Sequence, residues 1–133
     1  MMKVIIAGSR SIQSLSVVKK AIESSGWEQV ITEVVSGNAI GVDKLGEMWA
    51  VRRGIPVKKF LAGWEKYGKR AGYIRNKEMA VYGDALILVH DGVSKGSIDM
   101  LHQMKNLDKP THVYTYLSPL INNFISNYAE DSY

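Results

Sequence analysis

Short, uninterrupted apolar runs set between longer amphipathic stretches restrict the fold of this chain more than any other feature. Lys3 to Ala7 reads KVIIA and Ala85 to Val89 reads ALILV. Consecutive apolar residues leave no side for solvent, so each run is expected to be a strand covered on both faces. Further strands are expected at Glu33–Ser36, Val57–Leu61 and His112–Tyr116. Between them the spacing predicts helices at Val17–Ser25, about 42–53, about 71–82, about 97–106 and about 119–128, with a long loop over 62–70. Val42, Leu45 and Trp49 share one face of the second helix, and Gly26 and Gly54 stand where helices should stop. Five strands alternating with five helices predict an α/β, Rossmann-like, doubly wound parallel sheet with helices on both faces.

A chain of 133 residues suits one domain, expected over 1–133 with its core at about 3–128 and a polar C-terminal tail. No apolar run approaches the roughly 20 residues needed to cross a bilayer, and the four-residue run after Lys3 is too short for a signal peptide. A cytoplasmic protein without membrane partners is therefore expected. The absence of cysteine excludes disulfides and thiolate metal sites, and no His/Asp/Glu group has metal spacing. The net charge is +4, yet Lys58 to Lys77 alone holds seven basic residues against one acid, Glu65. That segment suits an anionic partner; a solvated lysine-rich surface is the alternative.

In an open parallel sheet, ligands bind beyond the carboxyl ends of the strands where the strand order reverses. Three glycine-bearing loops fall on that edge: Gly8-Ser9-Arg10, Ser36-Gly37-Asn38-Ala39-Ile40-Gly41, and Asp91 to Ser97 with Ser94, Lys95, Gly96 and Ser97. Two run into helix N-termini, where unpaired N–H groups and the helix dipole favour a phosphate. Neither the Walker loop nor the dinucleotide fingerprint is present, since the second loop offers G-x-x-x-G. Arg10 suits a bidentate grip on a phosphate, with a surface ion pair as the alternative. Asp43 is expected to cap the second helix and to be available to a ribose. Arg75, Asn76 and Glu78 lie within one turn and suit either a ligand or a hydrated helix face. Trp64, Tyr67 and Tyr73 could stack on a base or anchor the core. His90 reads as a loop residue at a strand end.

These segments, with W-x-x-Y-G-x-x-A-G-x-x-R-N-x-x-M at Trp64 to Met79 and D-G-x-S-K-G-S from Asp91, resemble the YspA/YpsA-related branch of the SLOG superfamily. The likeness runs from Lys3 to Tyr116. It implies a Rossmann-type domain for nucleotides and nucleotide-derived molecules, in a superfamily that includes LOG phosphoribohydrolases, the DNA-processing protein DprA and sensors of ADP-ribose-type signals. It implies ligand contacts from Gly8, Ser9, Arg10, Ser36, Gly37, Gly41, Arg75, Asn76, Ser94, Lys95, Gly96 and Ser97. The second loop of relatives usually reads S-G-G-A-R-G-V-D; here Asn38 and Ile40 replace a glycine and an arginine.

The function implied is binding of an ADP-ribose, NAD-like or nucleoside-phosphate ligand by a sensor or sequestering module that needs no cofactor. One alternative is a LOG-like phosphoribohydrolase with Glu78 and Asp99 as its catalytic carboxylates, although the Pro-Gly-Gly of those enzymes is missing and Asp99 is shorter than their glutamate. Another is DprA-like binding of single-stranded nucleic acid. A homo-oligomer is also expected from the resemblance, with Trp27, Val30 and Ile31 as apolar residues in excess of one core.

Overall fold

The computed structural model describes residues 1–92 and 94–117. The chain runs β1 (Met2–Gly8), α1 (Leu15–Ser25), β2 (Ile31–Ser36), α2 (Val42–Arg52), β3 (Val57–Lys59), α3 (Trp64–Tyr67), a 3-10 turn (Gly68–Arg70), α4 (Ala71–Tyr82), β4 (Ala85–His90), α5 (Lys95–Asn106) and β5 (Thr111–Thr115). The five strands form one parallel sheet in the order β3-β2-β1-β4-β5. This is the expected doubly wound α/β fold. The expected last helix, 119–128, lies outside the described residues.

β1 is central because its side chains are apolar on both faces. Val4 and Ile6 pack with Val18, Ile22 and Trp49 from α1 and α2 on one side. Ile5 and Ala7 pack with Met79, Ala80, Met100 and Met104 from α4 and α5 on the other. The register pairs Val4 with Val34, and Ile5 with Leu86, so the three inner strands stack their apolar residues in rows. Trp27 joins the α1/α2 core and Ile31 is buried. Only Val30 of the three apolar residues expected to be in excess is exposed.

Two expectations need correction. The stretch 62–70 is not a plain loop: Gly63 O accepts from the N–H groups of Lys66 and Tyr67, which nucleates α3, and the 3-10 turn then leads directly into α4. β3 stops at Lys59, although Phe60 N–H still donates to Ser36 O at 2.8 Å. Leu61, 70% exposed, is then free to lean over the carboxyl edge of the sheet. Among the described residues, no helix is long and apolar enough to cross a membrane.

Candidate functional site

The strand order reverses between β1 and β4, and the loops after these strands part there. A cavity of about 410 Å³ fills the gap, lined by Gly8, Ser9, Arg10 and Ser11 from the first loop, Ala39 and Asp43 from the second, Arg75 and Asn76 from α4, and Asp91, Ser94, Gly96 and Ser97 from the last. Met79 and Met100 form its floor. A second cavity of about 510 Å³ adjoins it, lined by Gly37, Asn38, Ile40, Leu61, Ala62 and Trp64. Arg10, Ala39 and Arg75 line both, so the two are lobes of one cleft with a guanidinium on either side of their junction.

The inner lobe ends on the N-terminus of α5. Ser94 caps this helix by accepting from Ser97 N–H at 3.3 Å, and the first intrahelical bond runs from Ile98 N–H to Ser94 O. The amides of Lys95 and Gly96 precede that bond and are the groups such a helix offers to an anion. Asn76 is buried, and its Nδ2 donates to Gly96 O at 3.1 Å and to Asp99 Oδ2 at 3.0 Å. Two acceptors around one amide end fix its orientation, so Asn76 presents its oxygen, an acceptor, to the lobe.

Asp91 ties the first and last loops together. Its carboxylate accepts from Ser9 Oγ at 3.1 Å and from Ser11 Oγ, while its own N–H donates to Ser9 Oγ at 3.0 Å. A second knot holds the β2–α2 loop: Ser36 Oγ donates to Glu47 Oε2 at 2.6 Å and accepts from Asn38 N–H at 3.0 Å. Lys59 stands 3.5 Å and Lys44 3.7 Å from Glu47 Oε1.

Asp43 and Arg75 converge over Gly37. A Cβ on Gly37 would lie 2.8 Å from Asp43 Oδ2 and 3.1 Å from Arg75 Cζ, so a larger residue there would have to displace both side chains. Asp43 Oδ2 accepts from Ala39 N–H at 3.2 Å, and Arg75 Nη1 donates to Gly37 O at 2.9 Å. Arg75 Nε is buried with no hydrogen-bond partner among the described residues. Burial pushes the Asp43 carboxyl up to about 6; the Ala39 N–H and the Arg75 guanidinium partly oppose this, Glu47 adds to it, and the Gly8 amide opposes it.

Residues 2–67 match the family described as the YspA, cpYpsA-related SLOG family. That part of the chain is similar to SLOG proteins. Among solved structures it is similar to DNA processing protein A (DprA) from Streptococcus pneumoniae, with a TM-score of 0.68 and 18% identity over 94% of this chain. At that identity the likeness is one of fold. This chain spans 56% of the DprA chain. No curated protein matches its sequence.

Of the ligand contacts expected from sequence, Gly8, Ser9, Arg10, Gly37, Asn38, Asp43, Arg75, Asn76, Ser94, Gly96 and Ser97 all border the cleft. Ser36 does not: it is fully buried and its hydroxyl is used by Glu47 and Asn38. Gly41 does not either. It has φ 82°, and a Cβ there would come within 2.5 Å of Ser9 O, so it lets the second loop cross the first. Lys95 is exposed outside both lobes. Asp43 is not the cap of α2, since Gly41 holds that position; its carboxylate reaches back to Ala39 instead.

The two carboxylates expected for hydrolysis are not brought together in the cleft. Glu78 lines a separate groove with Phe60, Ile74, Lys77 and Val81, because it follows Asn76 by two positions and α4 turns it to the far side. Asp99 lies behind Asn76 and holds its amide. Trp64 lines the outer lobe, whereas Tyr67 lies against Gly63 beneath Lys66, and Tyr73 is half exposed outside both lobes. Sequence reasoning missed Asp91, Ser11, Leu61 and Ala62 as lining residues. Leu61 and Ala62 follow β3 on the same carboxyl edge, so the rule that found the three glycine loops could have found them.

Proposed function

We propose that this cleft binds a nucleotide-derived small molecule. The observation that carries the reading is the pairing of two unlike lobes across Arg10 and Arg75 at the point of strand reversal. The inner lobe has a helix N-terminus and polar groups suited to phosphate and ribose, and the outer lobe has Ile40, Leu61 and Trp64, suited to a base. Arg10 makes no side-chain hydrogen bond or ion pair among the described residues, which leaves its guanidinium available to a phosphate. ADP-ribose, NAD-like and nucleoside-phosphate ligands share this chemistry, and binding without cleavage suits a sensor or a sequestering module. Cleavage by a LOG-type route draws no support from Glu78 and Asp99, given where they lie.

The test is a thermal-shift panel with AMP, ADP-ribose, NAD and short single-stranded DNA, followed by mass spectrometry of each mixture. Saturation at about 100 times the dissociation constant stabilises the fold by roughly 2.7 kcal/mol. The expected outcome is a shift with a ribonucleotide recovered intact. No shift with any nucleotide would overturn the reading, and recovery of free base would make the protein a hydrolase.

A second reading, single-stranded nucleic acid binding, is favoured by the half-exposed Trp64, Tyr67 and Tyr73 along the basic segment, and by the fold shared with a protein named for DNA processing. It requires affinity that grows with oligonucleotide length and falls steeply with salt.

A further inference from the structure

Asp43 stands where an anion would be expected to bind. It sits in the first turn of α2, its carboxylate takes the Ala39 N–H, and the Gly8 amide also favours its charged form. The α2 end of the cleft thus already holds a negative charge, buried and only 5% exposed. We propose that Asp43 decides how the cleft accepts negative charge: its carboxylate keeps phosphate away from the α2 end and directs it to α5 and the two arginines, and a phosphate-bearing ligand binds together with one proton taken from solvent onto Asp43.

The inference rests on the nucleotide reading of the cleft. The charges that act on Asp43 are Arg75 from α4 and Glu47 from its own helix, and Arg10 from the β1–α1 loop and Asp91 from the β4–α5 loop line the same lobe. Glu47 is engaged by Ser36, Lys44 and Lys59, and Asp91 by Ser9 and Ser11. Arg75 is the cation that holds Asp43 ionised, and it has a buried Nε without a partner. A phosphate drawn to Arg75 neutralises the charge that favours the Asp43 carboxylate and adds a like charge in the same cleft. Both effects raise the proton affinity of Asp43. Once protonated, it can donate a hydrogen bond to a ligand oxygen instead of repelling it. His90, at the end of β4, accepts from Gly92 N–H through Nδ1 and faces Thr115, so its imidazole is turned from the cleft.

The experiment is calorimetric titration with ADP-ribose, whose pyrophosphate does not titrate near neutrality, in paired buffers of different ionisation enthalpy. Wild type is expected to take up close to one proton per ligand at about pH 7 and to lose up to tenfold in affinity per pH unit above about pH 6. Asp43→Asn, which carries no titrating group, is expected to bind with a flat pH profile and more tightly than wild type at about pH 8. Proton uptake by wild type is read without any variant, so the test stands if Asp43→Asn does not fold. Binding without proton uptake overturns the role of Asp43 and leaves the nucleotide reading intact. Failure of wild type to bind ADP-ribose, NAD or AMP at any pH overturns both.

Discussion

Single positions in the cleft act through contacts with loops distant in sequence. Gly41 is the clearest, because a side chain there meets the Ser9 carbonyl and the Arg10 backbone at once, at a backbone angle that L-residues resist. Gly41→Ala is expected to destabilise the fold by about 2 kcal/mol or more, read as a lower urea midpoint. Asp43 adds a pH dependence of its own. Its carboxyl is raised in the folded state, from 3.8 to about 6, so its contribution to stability is fully present below the unfolded value and is lost as pH rises through about 6. Relative to Asp43→Asn, wild type is expected to lose on the order of 2 to 3 kcal/mol between about pH 4 and about pH 7 in urea unfolding. A difference of the opposite sign would mean that Arg75 and the backbone donors outweigh burial.

Among the elements, α4 matters most to the cleft, since it supplies both Arg75 and Asn76. Its far end is held by an unusual cap: Lys109 Nζ donates to Ala80 O, Val81 O and Gly83 O at 2.7 to 2.9 Å. A cation among the terminal carbonyls satisfies acceptors that a helix otherwise leaves unpaired and complements its dipole. Lys109→Met is expected to cost about 1 to 2 kcal/mol and to speed hydrogen exchange at Gly83 N–H, which bonds Met79 O. The elements themselves were largely legible from sequence. KVIIA and ALILV became β1 and β4 because a run apolar on both sides fits only the middle of a covered sheet. Residues 62–70 were not legible as α3 and a 3-10 turn, because pieces of three and four residues are too short to show a period.

For the molecule as a whole, the two lobes assign separate parts of a ligand to separate residues. Arg10→Ala is expected to weaken AMP about tenfold or more while leaving adenosine nearly unchanged. Trp64→Ala is expected to weaken both by a similar factor, since a base stacks with or without its phosphate. Isothermal titration of the four protein–ligand pairs checks this, and an equal loss for Arg10→Ala with both ligands would remove the arginine from the phosphate end.

The sequence by itself determined a doubly wound parallel sheet and the edge on which its loops gather, because apolar runs and helical periods are local patterns that translate directly into strands and helix faces. Tertiary structure alone decided which loop side chains face the cleft. Asp91 enters it because Ser9 and Ser11, some eighty residues away, hold its carboxylate there. Ser36 turns inward because Glu47, in the helix that follows, accepts a hydrogen bond from its hydroxyl. Such choices follow from hydrogen bonds between chain segments that meet only after the sheet has formed, and no local spacing encodes them.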